Sequence, residues 1–343
     1  MRVTLNQIAE AAGVSRGTVD RALNNRGRIN PEVAERIMRI AKEMGYQRNL
    51  VGRALALSKA NLRLGVIVQA TDTPFIKSVL QGIEEAKNQV EEYGFEVIVK
   101  AIHSIDTVSA INALDELAEA GCAGIALMPS EDPAFVERVN TLAGEGVPVV
   151  TFNSDIENSG RQCFVGQDSV KSGRVAAGLM AQILPQGASV LVISGYPDFQ
   201  SHRDRTVGFV DELSAIRQDL VFQQIRYARD NEAVAERIAE QALKVRKKGD
   251  TLGIYLAAAG LEGVNRAARK IGGDGYIKLI SNDLTENNIR ILKEGGADFL
   301  IGQDPHTQGY EPIMILFRQL FENKPAREEP LHTEITIRTK YNV

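Results

Sequence analysis

From residue 62 onward the chain alternates short apolar runs with amphipathic stretches of helical length, and it does so in two successive series. The first series has strand-like runs at 64–68, 95–99, 124–128 and 147–152; the second has them at 189–193, 221–225, 252–256 and 277–280. Runs this continuously apolar are buried on both faces, which means parallel sheets covered by helices on either side. Two series predict two α/β lobes. In open sheets of this kind a ligand sits beyond the carboxyl ends of the strands. The residues there are Thr71 to Phe75, Asn153 to Asp155, Tyr196 to Phe199 with His202 and Arg203, Asn282 and Asp283, and Gln303 and Asp304 after a run at 299–302. Polar groups with a few aromatics suit a small hydrophilic ligand held between the lobes.

The first 57 residues follow a different rule. Thr4 with Gln7 has the spacing of a capping box, Leu5, Ile8, Ala9 and Ala12 form a helical stripe, and Gly13 stops it. Ser15 caps a second helix at once, with Val14 and Val19 at the spacing of a hydrophobic staple, so the two helices cross steeply as a helix-turn-helix. Asn30 and Pro31 open a third helix that buries Val33, Ile37, Ala41 and Met44 before Gly45. Helices this short are marginal alone and must pack together. The outer face of the second carries Arg16, Thr18 and Arg21, and Arg26 and Arg28 follow in the loop. Charge divides at the same place: residues 1–60 hold 11 Lys and Arg against 5 Asp and Glu, a balance of +6, and the remainder carries −10. A basic head suited to phosphates joins an acidic body that nucleic acid would repel.

The stretch Leu5-x-x-Ile8-Ala9-x-x-Ala12-Gly13-Val14-Ser15-x-x-Thr18-Val19-x-Arg21-Ala22-Leu23-Asn24, continuing to Gly45-Tyr46 and Asn49, resembles the DNA-binding headpiece of the lactose-repressor (LacI/GalR) family. The resemblance implies that the second helix enters the major groove, with Arg16, Gly17 and Arg21 at base edges. It implies phosphate contacts for Thr4, Ser15, Thr18, Asn24 and Arg28; Thr4 and Ser15 also have their capping roles. Gly17 departs from the family, which usually carries a larger side chain there. Residues 49–57 resemble the family's hinge helix, which orders when two copies meet over DNA. In that match Leu55 is the wedge pushed into the minor groove and Arg53 lies on the backbone. Gly52 and Arg48 depart from the common pattern.

The body, about 62–340, resembles the periplasmic sugar-binding-protein fold, closest to its ribose-binding branch. That resemblance implies a type I two-lobed α/β domain in which Phe75 stacks on a sugar face while Asn153, Arg203, Asp283 and Gln303 bond hydroxyls, with Asp155 a further candidate. Asn153 stands where a carboxylate is common, and Ala257-Ala258-Ala259 where an Asn or Asp usually reaches the ligand. The expected division is a headpiece at 1–48, hinge and linker at 49–61, and a sensing and dimerisation domain at 62–343. Within it, lobe one takes about 62–163 and 304–325, and lobe two about 164–303 and 326–343.

The sequence has no phosphate-binding GxxxxGK[ST] loop, strand-linked GxGxxG, GxSxG elbow or HExxH. His103, His202, His306 and His332 lack ligand spacing, and Cys122 and Cys163 read as reduced, buried thiols. No metal or cofactor is expected. A membrane-spanning run and a signal-peptide core are both missing from the pattern, which places the expected protein in the cytoplasm. These readings converge on a homodimeric regulator of transcription, a repressor whose hold on double-stranded operator DNA is controlled by a sugar or polyol. A regulator sensing a nucleobase or phosphorylated metabolite, and an enzyme using the cleft, are the alternatives.

Overall fold

A computed structural model describes residues 3–23, 29–46, 62–247, 249–271, 276–324 and 329–343. The expected contacts Asn24, Arg28, Arg53 and Leu55, and the hinge at 49–57, lie outside the described residues.

The head is three helices, α1 (Leu5–Ala12), α2 (Arg16–Leu23) and α3 (Pro31–Glu43). The Thr4 hydroxyl accepts the Gln7 N–H at 3.4 Å while the Gln7 side-chain oxygen accepts the Thr4 N–H at 2.8 Å, so the box closes in both directions. Gly13 takes the left-handed φ of +64° that ends α1, a conformation glycine adopts without a Cβ clash. Ser15 Oγ accepts the Thr18 N–H at 3.1 Å, and Asn30 caps α3 through the Glu32 N–H at 2.9 Å. Ile8, Val19 and Ile37, one from each helix, are wholly buried against one another.

Lobe one contains β1 (Arg63–Val68), α4 (Pro74–Glu91), β2 (Glu96–Ala101), α5 (Thr107–Glu119), β3 (Cys122–Leu127), α6 (Pro133–Gly144), β4 (Val149–Phe152) and β5 (Cys163–Gly166). Lobe two follows with α7 (Ser169–Ile183), β6 (Ser189–Ser194), α8 (Gln200–Ile216), β7 (Val221–Phe222), β8 (Arg226–Tyr227), α9 (Glu232–Val245) and β9 (Leu252–Leu256). It continues through α10 (Leu261–Ile271), β10 (Ile277–Asn282), α11 (Glu286–Lys293) and β11 (Phe299–Gly302). The chain then returns to lobe one as α12 (Pro305–Glu322) and β12 (Leu331–His332), and ends on lobe two as β13 (Thr336–Arg338).

The first sheet has the order β12-β5-β4-β3-β1-β2 and is parallel throughout; the second runs β13-β11-β10-β9-β6-β7, with β8 also on β6 and only β13 antiparallel. Successive residues of one strand enter opposite cores: Val66 and Val68 of β1 pack with Phe317 and Phe321, whereas Ile67 packs with Leu114 and Phe135. This is why the runs are apolar at every position rather than at every second one.

Two expected boundaries move. Lobe one was expected to end near 163, but 163–166 pairs with β4, so the first crossing falls at 167–168. The tail from 326 is expected in lobe two, yet Leu331 and His332 pair with Val165 and Gly166, and only from β13 does the chain belong to the second sheet. Strands of four and two residues are too short to announce themselves by period. The run expected at 221–225 is a strand only at Val221–Phe222, and β8 follows at Arg226–Tyr227; the two pair with opposite ends of β6. Cys122 and Cys163 are buried thiols, and burial pushes the Cys122 thiol up to about 11. Among the described residues no helix is long and apolar enough to cross a membrane.

Candidate effector cleft and nucleic-acid interface

The carboxyl ends of β1, β4, β10 and β11 turn inward through residues in the left-handed region: Ala70 (φ +54°), Asn153 (+67°), Asp283 (+73°) and Asp304 (+51°). Asn and Asp tolerate this conformation better than most residues, which is why polar side chains stand at these turns. Around them lies a pocket lined by Phe75, Ile76, Ile105, Met128 and Asn153 from lobe one and by Phe199, Ser201, His202, Arg205, Asp230, Asp283 and Gln303 from lobe two. Phe75, Asn153, Asp283 and Gln303, four of the six expected effector contacts, are brought together there.

The centre of the polar wall is Arg205, only 2% exposed. Its Nη2 donates to Gln303 Oε1 at 2.6 Å and its Nη1 to the Ala257 carbonyl at 3.2 Å, and its Nε has no protein partner. Gln303 passes the bond on, its Nε2 donating to Asp283 Oδ1 at 2.6 Å, so both ends of the amide are fixed. Asp230 Oδ1 accepts the Ala259 N–H at 3.2 Å. Burial lifts the Asp230 carboxyl to about 6 against the pull of that N–H and of Arg205, and burial likewise raises Asp283. His202 is driven the other way: burial, with Arg205 beside it, lowers it to about 3, and its Nδ1 accepts the Tyr196 N–H at 3.1 Å. The imidazole is therefore neutral.

Two expected contacts are placed elsewhere. Arg203 faces away from the pocket and forms a two-pronged pair with Glu131, at 2.5 and 2.8 Å. Two positions along a helix is a turn of about 200°, so Arg203 and Arg205 lie on opposite sides of α8. Asp155 is engaged by Thr151 Oγ1 at 2.6 Å and by the Arg161 guanidinium, and it lines a neighbouring depression instead. A carboxylate already holding a guanidinium and a hydroxyl has little left for an effector.

On the head, Arg16 and Gly17 are exposed in the first turn of α2 and Thr18 is half-buried. Arg21 folds back along the helix, Nε donating to the Gly17 carbonyl at 3.1 Å. A Cβ at Gly17 would meet nothing closer than Ser15 Oγ at 3.8 Å, so the fold does not demand glycine there.

Residues 64–324 match the periplasmic binding protein domain, and residues 4–49 match bacterial regulatory proteins of the lacI family. The chain belongs to the periplasmic binding protein domain family and carries a lacI-family domain at its head. Among curated relatives, the ribose import binding protein RbsB of Bacillus subtilis (strain 168) is 28% identical over 44% of the chain and 48% of its own length. The sucrose operon repressor of Klebsiella pneumoniae is 28% identical over 62% of the chain and 61% of its own length. Both matches thus span less than two thirds of the relative. A crystal structure of a sugar ABC transporter's sugar-binding protein from Bacillus halodurans superposes with a TM-score of 0.72 at 25% identity, covering 82% of this chain and 98% of that one.

Sequence reasoning missed Arg205 and Asp230 as pocket-lining residues. Arg205 had a legible signal, because Ser201, His202 and Arg205 stand at the i, i+1, i+4 spacing of one helix face. Asp230 had none. It follows a two-residue strand, and both it and Arg229 adopt left-handed φ values, +55° and +51°, that fold the turn into the cleft.

Proposed function

We propose that this regulator binds operator DNA as a homodimer in the cytoplasm, represses transcription, and changes its DNA affinity when a sugar or polyol occupies the cleft between its lobes. The observation that carries the reading is the pocket itself: Arg205, Asp230, Asp283 and Gln303 converge from four separate elements on one space beyond the strand ends, in a chain that also bears an exposed recognition helix. Asn153, Asp283 and Gln303, with Arg205 and Asp230 added, bond the effector's hydroxyls, and Phe75 packs on its face. On the DNA side Arg16, Gly17 and Arg21 meet base edges. Thr4, Ser15, Thr18, Asn24, Arg28 and Arg53 meet the backbone, and Leu55 enters the minor groove.

Lobe closure on the effector would shift the two hinge segments relative to each other, a two-state element that both sites bias by about 1–3 kcal/mol. The cleft senses rather than catalyses: burial keeps its histidine neutral, and Nδ1 is already engaged by the Tyr196 N–H. The test is fluorescence anisotropy on DNA from the regulator's own upstream region, with and without a panel of sugars, polyols, nucleobases and phosphorylated metabolites. A sugar or polyol that shifts the isotherm supports the reading; a shift by nucleobases alone overturns it in favour of a non-sugar sensor, and product formed from the ligand revives the enzyme.

A further inference from the structure

The two walls of the cleft differ sharply in chemistry. Lobe one presents Phe75, Ile76, Ile105 and Met128, and its polar side chains are largely spent. Thr73 Oγ1 donates to the Ala70 carbonyl at 3.0 Å and accepts the Ile76 N–H as the cap of α4. Asn153 Nδ2 donates to Gln308 Oε1 at 3.0 Å, which leaves its carbonyl oxygen. Lobe two adds apolar surface at Phe199, Ala258 and Ala259, but it alone holds the ionisable groups of the pocket: Arg205, with an unpartnered Nε, Asp230, Asp283 and His202.

A ring with hydroxyls on its whole circumference fits these walls badly. Any hydroxyl directed at Ile105 or Met128 gives up its water hydrogen bonds and finds no replacement, whereas a methyl or methylene at the same place buries apolar area. We propose that the effector is a deoxy sugar of the 6-deoxyhexose class, its hydroxyls bonded to lobe two and its deoxygenated edge covered by lobe one. This deepens the sugar reading above and rests on it.

The test is calorimetric titration of the full chain with 6-deoxyhexoses, L-fucose and L-rhamnose among them, each paired with the parent hexose of the same configuration. One group added against an apolar wall changes affinity by about 10- to 200-fold, so the deoxy member of the preferred pair is expected to bind at least about tenfold more tightly. Ile105→Asn offers the extra hydroxyl a partner, and is expected to narrow that ratio; because both ligands are titrated into the same variant, a general loss of stability cancels. A parent hexose that binds as tightly as its deoxy partner, or a ratio that Ile105→Asn leaves unchanged, overturns the deoxy-edge assignment while leaving the sugar reading intact. Failure of every sugar, with nucleobases binding, overturns both.

Discussion

Arg203 and Glu131 meet from opposite lobes, the guanidinium of one lobe donating two hydrogen bonds to the carboxylate of the other at 2.5 and 2.8 Å. Arg203 is held at the start of α8 and Glu131 in the loop after β3, so the pair exists only while the lobes are together. It is a closure contact made by a residue whose position in the sequence suggested an effector contact. Both side chains keep substantial exposure, 45% and 35%, which limits what the pair contributes.

Removing either partner should therefore weaken effector binding modestly. Exposed ion pairs couple by about 0.2–1 kcal/mol, or at most about fivefold in affinity. A double-mutant cycle of Arg203→Ala and Glu131→Ala on effector affinity should return a coupling in that range that fades as salt is raised. Additive effects of the two changes would mean that the pair does not bias closure.

The pH dependence of stability should separate Asp230 from its neighbours. Its carboxyl is held up at about 6, so between pH about 4 and 6 the folded chain keeps a proton that the unfolded chain has released, and this group's contribution falls as pH rises. His202, held down at about 3, works in the opposite sense: the unfolded chain binds the extra proton below about 6.5, so its contribution grows with pH. Asp230→Asn should melt like the parent near pH 4 and at a higher temperature at pH 7. Parallel melting curves across that range would show that Asp230 is not buried as described.

The helix pair that carries Arg205 depends on two glycines. A Cβ at Gly173 of α7 would lie 2.2 Å from the Arg205 carbonyl, and one at Gly208 of α8 would lie 2.2 Å from the Val170 carbonyl. Gly173→Ala should cost about 1–3 kcal/mol by overpacking and, by moving α8, lower effector affinity as well. Gly178, on the same helix with nothing within 4 Å, is the control: Gly178→Ala should stabilise by about 0.5–1 kcal/mol. Urea unfolding of both variants measures the contrast, and equal effects would mean that the helices are not in close contact.

Specificity for DNA should rest on Arg16 more than on Arg21. Arg16 is exposed at the first turn of α2, while Arg21 is partly committed to the Gly17 carbonyl. Arg16→Ala should cost about 1–3 kcal/mol at one base pair and relax the preference there. Binding by base-substituted operators would reveal it, and an unchanged preference would assign the readout to other residues.

The strands with long apolar runs were legible because burial on both faces demands an apolar residue at each position, and the helix caps because one polar atom must meet one orphan N–H. Thr4, Ser15, Asn30 and Pro31 do in the structure what their spacing implies. The short strands β5, β12 and β13 were harder to read, since two to four residues carry no period, and the lobe boundaries drawn from them shifted accordingly. Phe75, Asn153, Asp283 and Gln303 could be read because position beyond a strand end predicts a cleft residue. Asp155 shares that position, yet Arg161, six residues on, takes its carboxylate.

By itself, then, the sequence determined the elements, the two-lobed plan, and the division between a basic head and an acidic body, because these follow from periodicity, capping and charge, all local in the chain. Which arginine enters the cleft, and that Asp230 joins it, was decided only by tertiary structure. Arg203 and Arg205 differ by two positions and opposite faces of one helix, and which face meets the ligand depends on how Gly173 and Gly208 let that helix pack on its neighbour. The apolar character of one wall and the charged character of the other were equally invisible in the chain, since Phe75, Ile105 and Met128 become neighbours of Arg205 and Asp283 only when two separate sheets close on one space.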